Sequence, residues 1–394
     1  MKFQGFERPD GTVGVRNHLL VIAPILCSFE PAKRIASRVE GAVAITQPYG
    51  IGCPIVDSLQ PVHNLVGIAK NPNIAAVLLV GLGCETITVD LLSREISKSK
   101  KPVASVVCQK EGGTLKTIRK GIRLLKEMAE EVGLLKRKAF DVSKLVAAVE
   151  CGGSDATSGI AANPAVGVAA DMLVDSGATV IFSEPLEMIG SEHILARRAV
   201  SDEVRGKIYR MIERQRRRIR AMGLTSKFIT KGNIEGGLTT IQEKSLGAIR
   251  KGGTRPIQDV LENSSGTLEK PVKSGLYIQD GTEFDVASLT HIIAAGSQIA
   301  FFTTGRGSTV GHAIAPVIKV TGNSTTYARM RENMDINAGT IVEGKESIDS
   351  VGRRIFDFFL EVASGKKTKS EELGYRDFAI YKLDPLAERF LATM

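Results

Sequence analysis

IAAVLLVGLGCETITVDLLSREISKSK, residues 74–100, decides the fold class. Up to Leu82 the run is apolar without alternation, the mark of a strand buried on both faces. From Thr86 to Lys100 apolar residues recur at helical spacing among charged ones, so an amphipathic helix follows. The same alternation runs outward in both directions. HLLVIAPIL (18–26) reads as a strand, PAKRIASRVE (31–40) as a helix, GAVAIT (41–46) as a strand and 57–70 as a helix. Downstream, KPVASVV (101–107) is a strand and GGTLKTIRKGIRLLKEMAEEVG (112–133) a long helix. Strands separated by covering helices give a parallel, doubly wound α/β sheet.

After the basic hinge KRKAFD (136–141) the pattern restarts with KLVAAVE (144–150), a helix over 163–177 and the strand ATVIFSE (178–184). An arginine-rich helical arm covers about 192–222, and the strands SGLYIQD, SQIAFFTTG and APVIKVTGN complete a second sheet. The expectation is two Rossmann-like doubly wound units with largely parallel sheets. An N-terminal α/β domain spans 1–138; a C-terminal α/β domain spans 139–394 and carries the arm and a terminal extension.

Composition narrows the class. The 394 residues are 43% hydrophobic and 24% charged with 40 glycines, which excludes disorder and collagen-like repeats. No apolar run approaches the ~18 residues of a membrane span, and the N-terminus does not read as a cleaved signal, so a cytoplasmic protein is expected. The net charge of +9 is scattered, with its densest run RQRRRIR (214–220) on a helix. With no tryptophan and 5% aromatic residues, stacking platforms for single-stranded nucleic acid are missing, and no nucleic-acid partner is expected.

The chemistry collects at strand ends. Cys27, Cys84, Cys108 and Cys151 follow or end strands, and Cys53 lies in a glycine loop shortly after one. Carboxyl ends of strands are where parallel sheets bind ligands. Cys53, Cys84 and Cys151 sit among glycines that allow close backbone approach to a ligand, whereas Cys108 lacks that setting and reads as core. Thiolates in a reducing compartment point to iron, as Fe2+ or an iron–sulfur cluster, with Cys27, Cys53, Cys84 and Cys151 as the candidate ligands; zinc remains open on chemistry alone. CGGSDATSGIAANP (151–164) sets Ser154 and Asp155 between a strand and a helix, either as a carboxylate cradle or as an ordinary N-cap. SEPLEMIGSEH (183–193) brings Glu184, Glu187 and His193 close together for proton transfer or metal binding. FTTGRGS (302–308) offers Thr304 and Arg306 to a carboxylate, and it lacks the spacing of a Walker loop.

Together with GFERPDGTVGVRN (5–17), VGLGCE (80–85), GGLTTIQEKSLGAIRKGG (236–253), APVIKVTGN (315–323) and MDINAG (334–339), these motifs resemble the altronate/galactarate dehydratase family over nearly the whole chain. The resemblance implies dehydration of a sugar acid to a 2-keto-3-deoxy acid, with iron as the metal. It implies roles for His193, Glu184 and Glu187 in proton transfer, and for Arg16, Asn17, Ser154, Asp155, Lys244, Thr304 and Arg306 in holding substrate. His291 and His312 are weaker candidates, read as structural. Gln47 stands where many members carry histidine. The small SAF domain that begins longer members is absent, so the chain resembles the large subunit of a split enzyme, working with a small SAF-domain subunit in a homo- or hetero-oligomer. Two alternatives stand beside this: the large subunit of a sulfolactate sulfo-lyase, and a non-catalytic sugar-acid-binding protein. The glycine-set Cys53 and Cys84 favour the dehydratase, because hydroxide is a poor leaving group and benefits from a metal.

Overall fold

The structure, a computed structural model, describes residues 1–51, 55–221, 223, 229–263 and 267–381, without the side chains of 55–58. It is α/β, with two parallel sheets. In chain order the strands are β1 (Lys2–Glu7), β2 (Val13–Gly14), β3 (His18–Ala23), β4 (Ala42–Thr46), β5 (Ile74–Gly81), β6 (Val103–Val107), β7 (Lys138–Asp141), β8 (Val146–Cys151), β9 (Thr179–Phe182), β10 (Ile257–Glu262), β11 (Gly275–Asp280), β12 (Ile299–Thr304), β13 (Val317–Thr321) and β14 (Ile336–Asn337).

The smaller parallel sheet has the order β4-β3-β5-β6 and the larger β10-β11-β9-β8-β12-β13-β14. All of β5, β9, β11, β12 and β13 is buried, as unbroken apolar runs require. Helices foreseen by periodicity form: Val89–Ser97, started by the Thr88 side chain accepting from Leu91 N at 3.2 Å, Thr114–Gly133, Asn163–Asp175 and Asp202–Ala221. Among the described residues no helix is long and apolar enough to cross a membrane.

Two features differ from expectation. The basic segment at 138–141 is no hinge but strand β7, paired antiparallel with β1 in a small third sheet where Phe3 stacks near Phe140 at 6.3 Å. The second is that the two parallel sheets share a core. Leu20, Ile22, Val77 and Leu79 of the smaller sheet belong to one apolar cluster with Ala148, Ile181, Tyr277 and Phe302 of the larger. The helices Ile55–Lys70 and Asp285–Ala294 pack together across that layer.

Each parallel sheet has a point where strand order reverses, and ligands bind outside the carboxyl ends there. In the larger sheet that point lies between β8 and β12. Cys151 pairs with Thr303 there, Gly152 N donates to Thr303 O at 2.9 Å, and Gly305 N donates to Gly153 O at 3.0 Å.

Candidate active site

Five side chains converge at the end of β8. Cys151 Sγ lies 3.1 Å from Glu184 Oε2, 3.2 Å from Glu187 Oε2 and 3.1 Å from Lys251 Nζ. Lys251 also ion-pairs with Glu184, and Lys244 Nζ lies 2.6 Å from Glu187 Oε1. Glu184 follows β9 with φ +76°, a left-handed conformation rare outside glycine, and such strain is typical of functional positions. That backbone turns its carboxylate under Cys151, where Oε2 also accepts from Cys151 N at 3.1 Å. Glu187 sits on the next turn, Pro185–Met188. Lys251 comes from the turn Ile249–Gly252; a Cβ on Gly252 would lie 2.8 Å from the Phe182 ring, so only glycine lets this turn press against the end of β9.

More acid surrounds this core. Glu150, alternating with Cys151 on β8, accepts from Ser288 Oγ at 2.9 Å, and Glu283 Oε1 accepts from Leu186 N at 2.7 Å. The other oxygen of each, Glu150 Oε1 and Glu283 Oε2, is buried without a partner among the described residues. Burial, then repulsion from Glu184, pushes Glu150 and Glu283 well above the ordinary carboxylate range. Burial with Glu187 nearby raises Glu184 to about 7. Burial works against Glu187 as well, but Lys244 and Lys251 outweigh it and hold this carboxyl below its usual value. The Cys151 thiol is pushed well up by burial and then by Glu184.

Cys151, Glu184 and Glu187 present one sulfur and two carboxylate oxygens within 4.8 Å of one another, a group that can hold a metal ion. The donor set fits a borderline divalent metal such as ferrous iron. Among the described residues this group contains one of the four cysteines expected as ligands, Cys151, together with the carboxylates Glu184 and Glu187. Cys151 ends β8 of the larger sheet and is buried, whereas Cys27 and Cys84 follow β3 and β5 of the smaller sheet and are exposed. Cys53 lies outside the described residues. Cys108 is buried, as a core residue should be.

A cavity of about 550 Å³ adjoins the cluster, lined by Ser154, Asp155, Ser158, Asn163, Lys244 and Arg250 with apolar neighbours. Lys244 belongs to both. Asp155 Oδ1 accepts from Thr157 N at 2.9 Å and Ser158 N at 3.0 Å, the capping alternative, while its Oδ2 takes Asn323 Nδ2 at 3.1 Å. Thr304 Oγ1 donates to Gly153 O at 3.2 Å and accepts from Gly307 N at 3.0 Å, bracing the switch-point loop. Arg306 is bonded to Gly232 O at 2.5 Å and paired with Glu235 at 3.1 Å, with its side chain 42% exposed. His193 is exposed on the short helix Glu192–Ala196, outside the cluster.

Arg16 and Asn17 are used elsewhere. Buried Arg16 ties Glu371 at 2.7 Å to the carbonyls of Val15, Val362 and Lys366, and Asn17 bridges Arg8 to Val132 O. Their donors are spent on backbone and on Glu371. Burial drives both His291 and His312 down to about 3, consistent with structural roles. The arginine-rich helix pairs Arg214 with Asp280 at 2.6 Å, and joins Arg216 to Glu192 and Arg220 to Glu213, so much of its charge is answered within the protein.

Lys251, Glu150 and Glu283 were not anticipated. A lysine followed by two glycines in IRKGG, and a charged residue inside the apolar strand LVAAVEC, are the signals that mark the first two.

Residues 5–133 match the second domain of D-galactarate dehydratase/altronate hydrolase, and residues 142–386 match the C-terminal domain of D-galactarate/altronate dehydratase. The chain is 35% identical to the (2R)-sulfolactate sulfo-lyase subunit beta of Chromohalobacter salexigens, over 97% of each chain. It is 34% identical to the L-threo-forming galactarate dehydratase of Escherichia coli K12, over 98% of this chain and 77% of that one. Against the altronate dehydratase of Bacillus subtilis 168 the identity is 31%, over 96% of this chain and 77% of that protein. The chain belongs to the D-galactarate/altronate dehydratase family.

Proposed function

We propose that the chain is the large subunit of a cytoplasmic hydro-lyase that removes water from a sugar acid of the altronate or galactarate type, giving a 2-keto-3-deoxy acid. The observation that carries this is the buried cluster of Cys151, Glu184, Glu187, Lys244 and Lys251 beside a cavity that Lys244 also lines. Elimination next to a carboxylate needs a cation for the substrate's charge, a proton carrier and exclusion of water. Lys244 Nζ, facing the cavity, binds the substrate carboxylate and balances charge as the enediolate forms. The Lys251–Glu184 pair moves the proton: it takes one from the carbon next to the carboxylate and returns one to the departing hydroxyl. Cys151, Glu184 and Glu187 would hold an iron ion, which when bound supplies Lewis acidity toward the carboxylate and the leaving hydroxyl.

The second reading is sulfite release from sulfolactate, by the same proton abstraction with a different leaving group. It is favoured by the 35% identity to a sulfo-lyase subunit over nearly the whole chain. Both readings expect a second, small subunit; a SAF-domain protein is the partner proposed here. Anaerobic co-purification with that partner, iron and sulfide analysis, and a substrate screen separate them. A 2-keto product from a hexonate or hexarate supports the dehydratase, and sulfite from sulfolactate selects the alternative. Saturable binding of sugar acid without turnover in the loaded complex would overturn both.

A further inference from the structure

A groove of about 500 Å³ opens at the amino ends of the strands, lined by the first residues of β8 and β9, Val146 and Thr179, and by Gln298 just before β12. Cys151 closes β8 at its other end, five residues on, so the groove lies roughly 16 Å from the catalytic cluster at ~3.3 Å per residue. Its charge is one-sided. Lys70, Lys98, Lys144, Lys270 and Lys273 line it against the single carboxylate of Asp10, whose Oδ1 already accepts from Thr12 N and Oγ1.

Ordinary duties account for some of these cations. Lys98 pairs with Glu95 at 2.6 Å. Lys70 ends the helix Ile55–Lys70, where a cation offsets the carboxyl-end dipole. Lys101, behind the groove, donates to Lys70 O at 2.9 Å and Asn71 O at 2.6 Å. Lys270 and Lys273 have no such duty: they end no helix, and among the described residues neither they nor Lys144 nor Lys70 makes an ion pair. Lys270 is solvent-exposed yet walled in by the groove. That crowding, then Lys70 nearby, lowers its pKa, and Lys101 is depressed by burial with Lys270 and Lys70 among the repelling charges. Five cations crowded in a groove against the single carboxylate of Asp10 are relieved by an anion, and ammonium groups serve phosphate oxygens as point charges.

We propose that this groove is a second small-molecule site, binding a phosphate-bearing polyanion through Lys70, Lys144, Lys270 and Lys273, apart from the catalytic cavity. Titration calorimetry of the full chain with pyrophosphate tests it, with a nucleoside diphosphate as a second arm to separate free from esterified phosphate. Pyrophosphate should bind saturably, and Lys270→Gln/Lys273→Gln should weaken it at least about tenfold, the cost of losing one hydrogen bond to a charged group. Lys126→Gln/Lys136→Gln removes the same charge from exposed positions outside the groove and should change binding less than about twofold. No saturable binding of either probe at millimolar concentration, or equal weakening by the two double variants, overturns the proposal. Binding of the nucleotide alone keeps the site and assigns it to esterified phosphate.

Discussion

Glu184 carries the most unusual combination of features in the chain: positive φ, full burial, contact with both Cys151 and Lys251, and a pKa near 7. Glu184→Gln keeps the shape but removes both the proposed proton carrier and the buried counter-ion of Lys251, so kcat should fall by roughly 10²–10⁴ and stability should fall by about 3–5 kcal/mol. Steady-state kinetics and calorimetry on the assembled enzyme measure both. Lys251 is bound to stability through the same pair. Burial disfavours its charge, but Cys151 and Glu184 outweigh that and hold its pKa well above the ordinary value. Lys251→Met strands the buried acids without their counter-ion and should cost about 3–5 kcal/mol in denaturant titration, the usual penalty for breaking a buried pair.

At the scale of elements, the turn Ile249–Gly252 delivers Lys251 only because Gly252 has no side chain facing the Phe182 ring. Gly252→Ala should overpack this contact at a cost of about 1–3 kcal/mol and reduce activity in the remaining folded protein, since the displaced turn carries the ammonium with it. Thermal unfolding and kcat measured on one preparation should move together; a normal kcat at reduced stability would uncouple the turn from the site. The helix Asp285–Ala294 contributes from the other side, supplying Ser288 to Glu150 and burying His291, whose two ring nitrogens have no partner among the described residues.

At the scale of the whole molecule, that buried imidazole makes stability depend on pH. Burial lowers His291 to about 3, so the unfolded state, with an ordinary pKa near 6.5, binds the proton first as pH falls. Stability is therefore full above about pH 6.5 and is lost toward pH 3. Between pH 6.5 and 5 the loss from this one group is about 2 kcal/mol. His291→Leu should flatten that limb by the same amount in equilibrium unfolding measured at several pH values, and an unchanged slope would place the acid sensitivity elsewhere. At the far side of the chain, Arg16 joins its start to residues 362–371. Arg16→Met should loosen this closure, lowering stability by about 3–5 kcal/mol while the folded fraction keeps its kcat. A selective rise in KM would restore the substrate role that the family resemblance implies.

What the sequence alone determined is the α/β class and the alternation of the longer buried strands with their covering helices. Unbroken apolar runs can only be buried strands, and amphipathic spacing marks the helices that cover them, so IAAVLLVGL and LVAAVE were legible without coordinates. The long motifs carried the family for the same reason, being contiguous in the chain. Only the tertiary structure decided which groups meet. Cys151 shares an address type with Cys27 and Cys84 but ends a strand of another sheet, and its partners are two carboxylates and one ammonium group from two separate segments. Lys251 reaches the thiol across a hundred residues of chain because Gly252 permits a close approach to Phe182. Convergence of that kind depends on distances between elements, which local pattern does not encode.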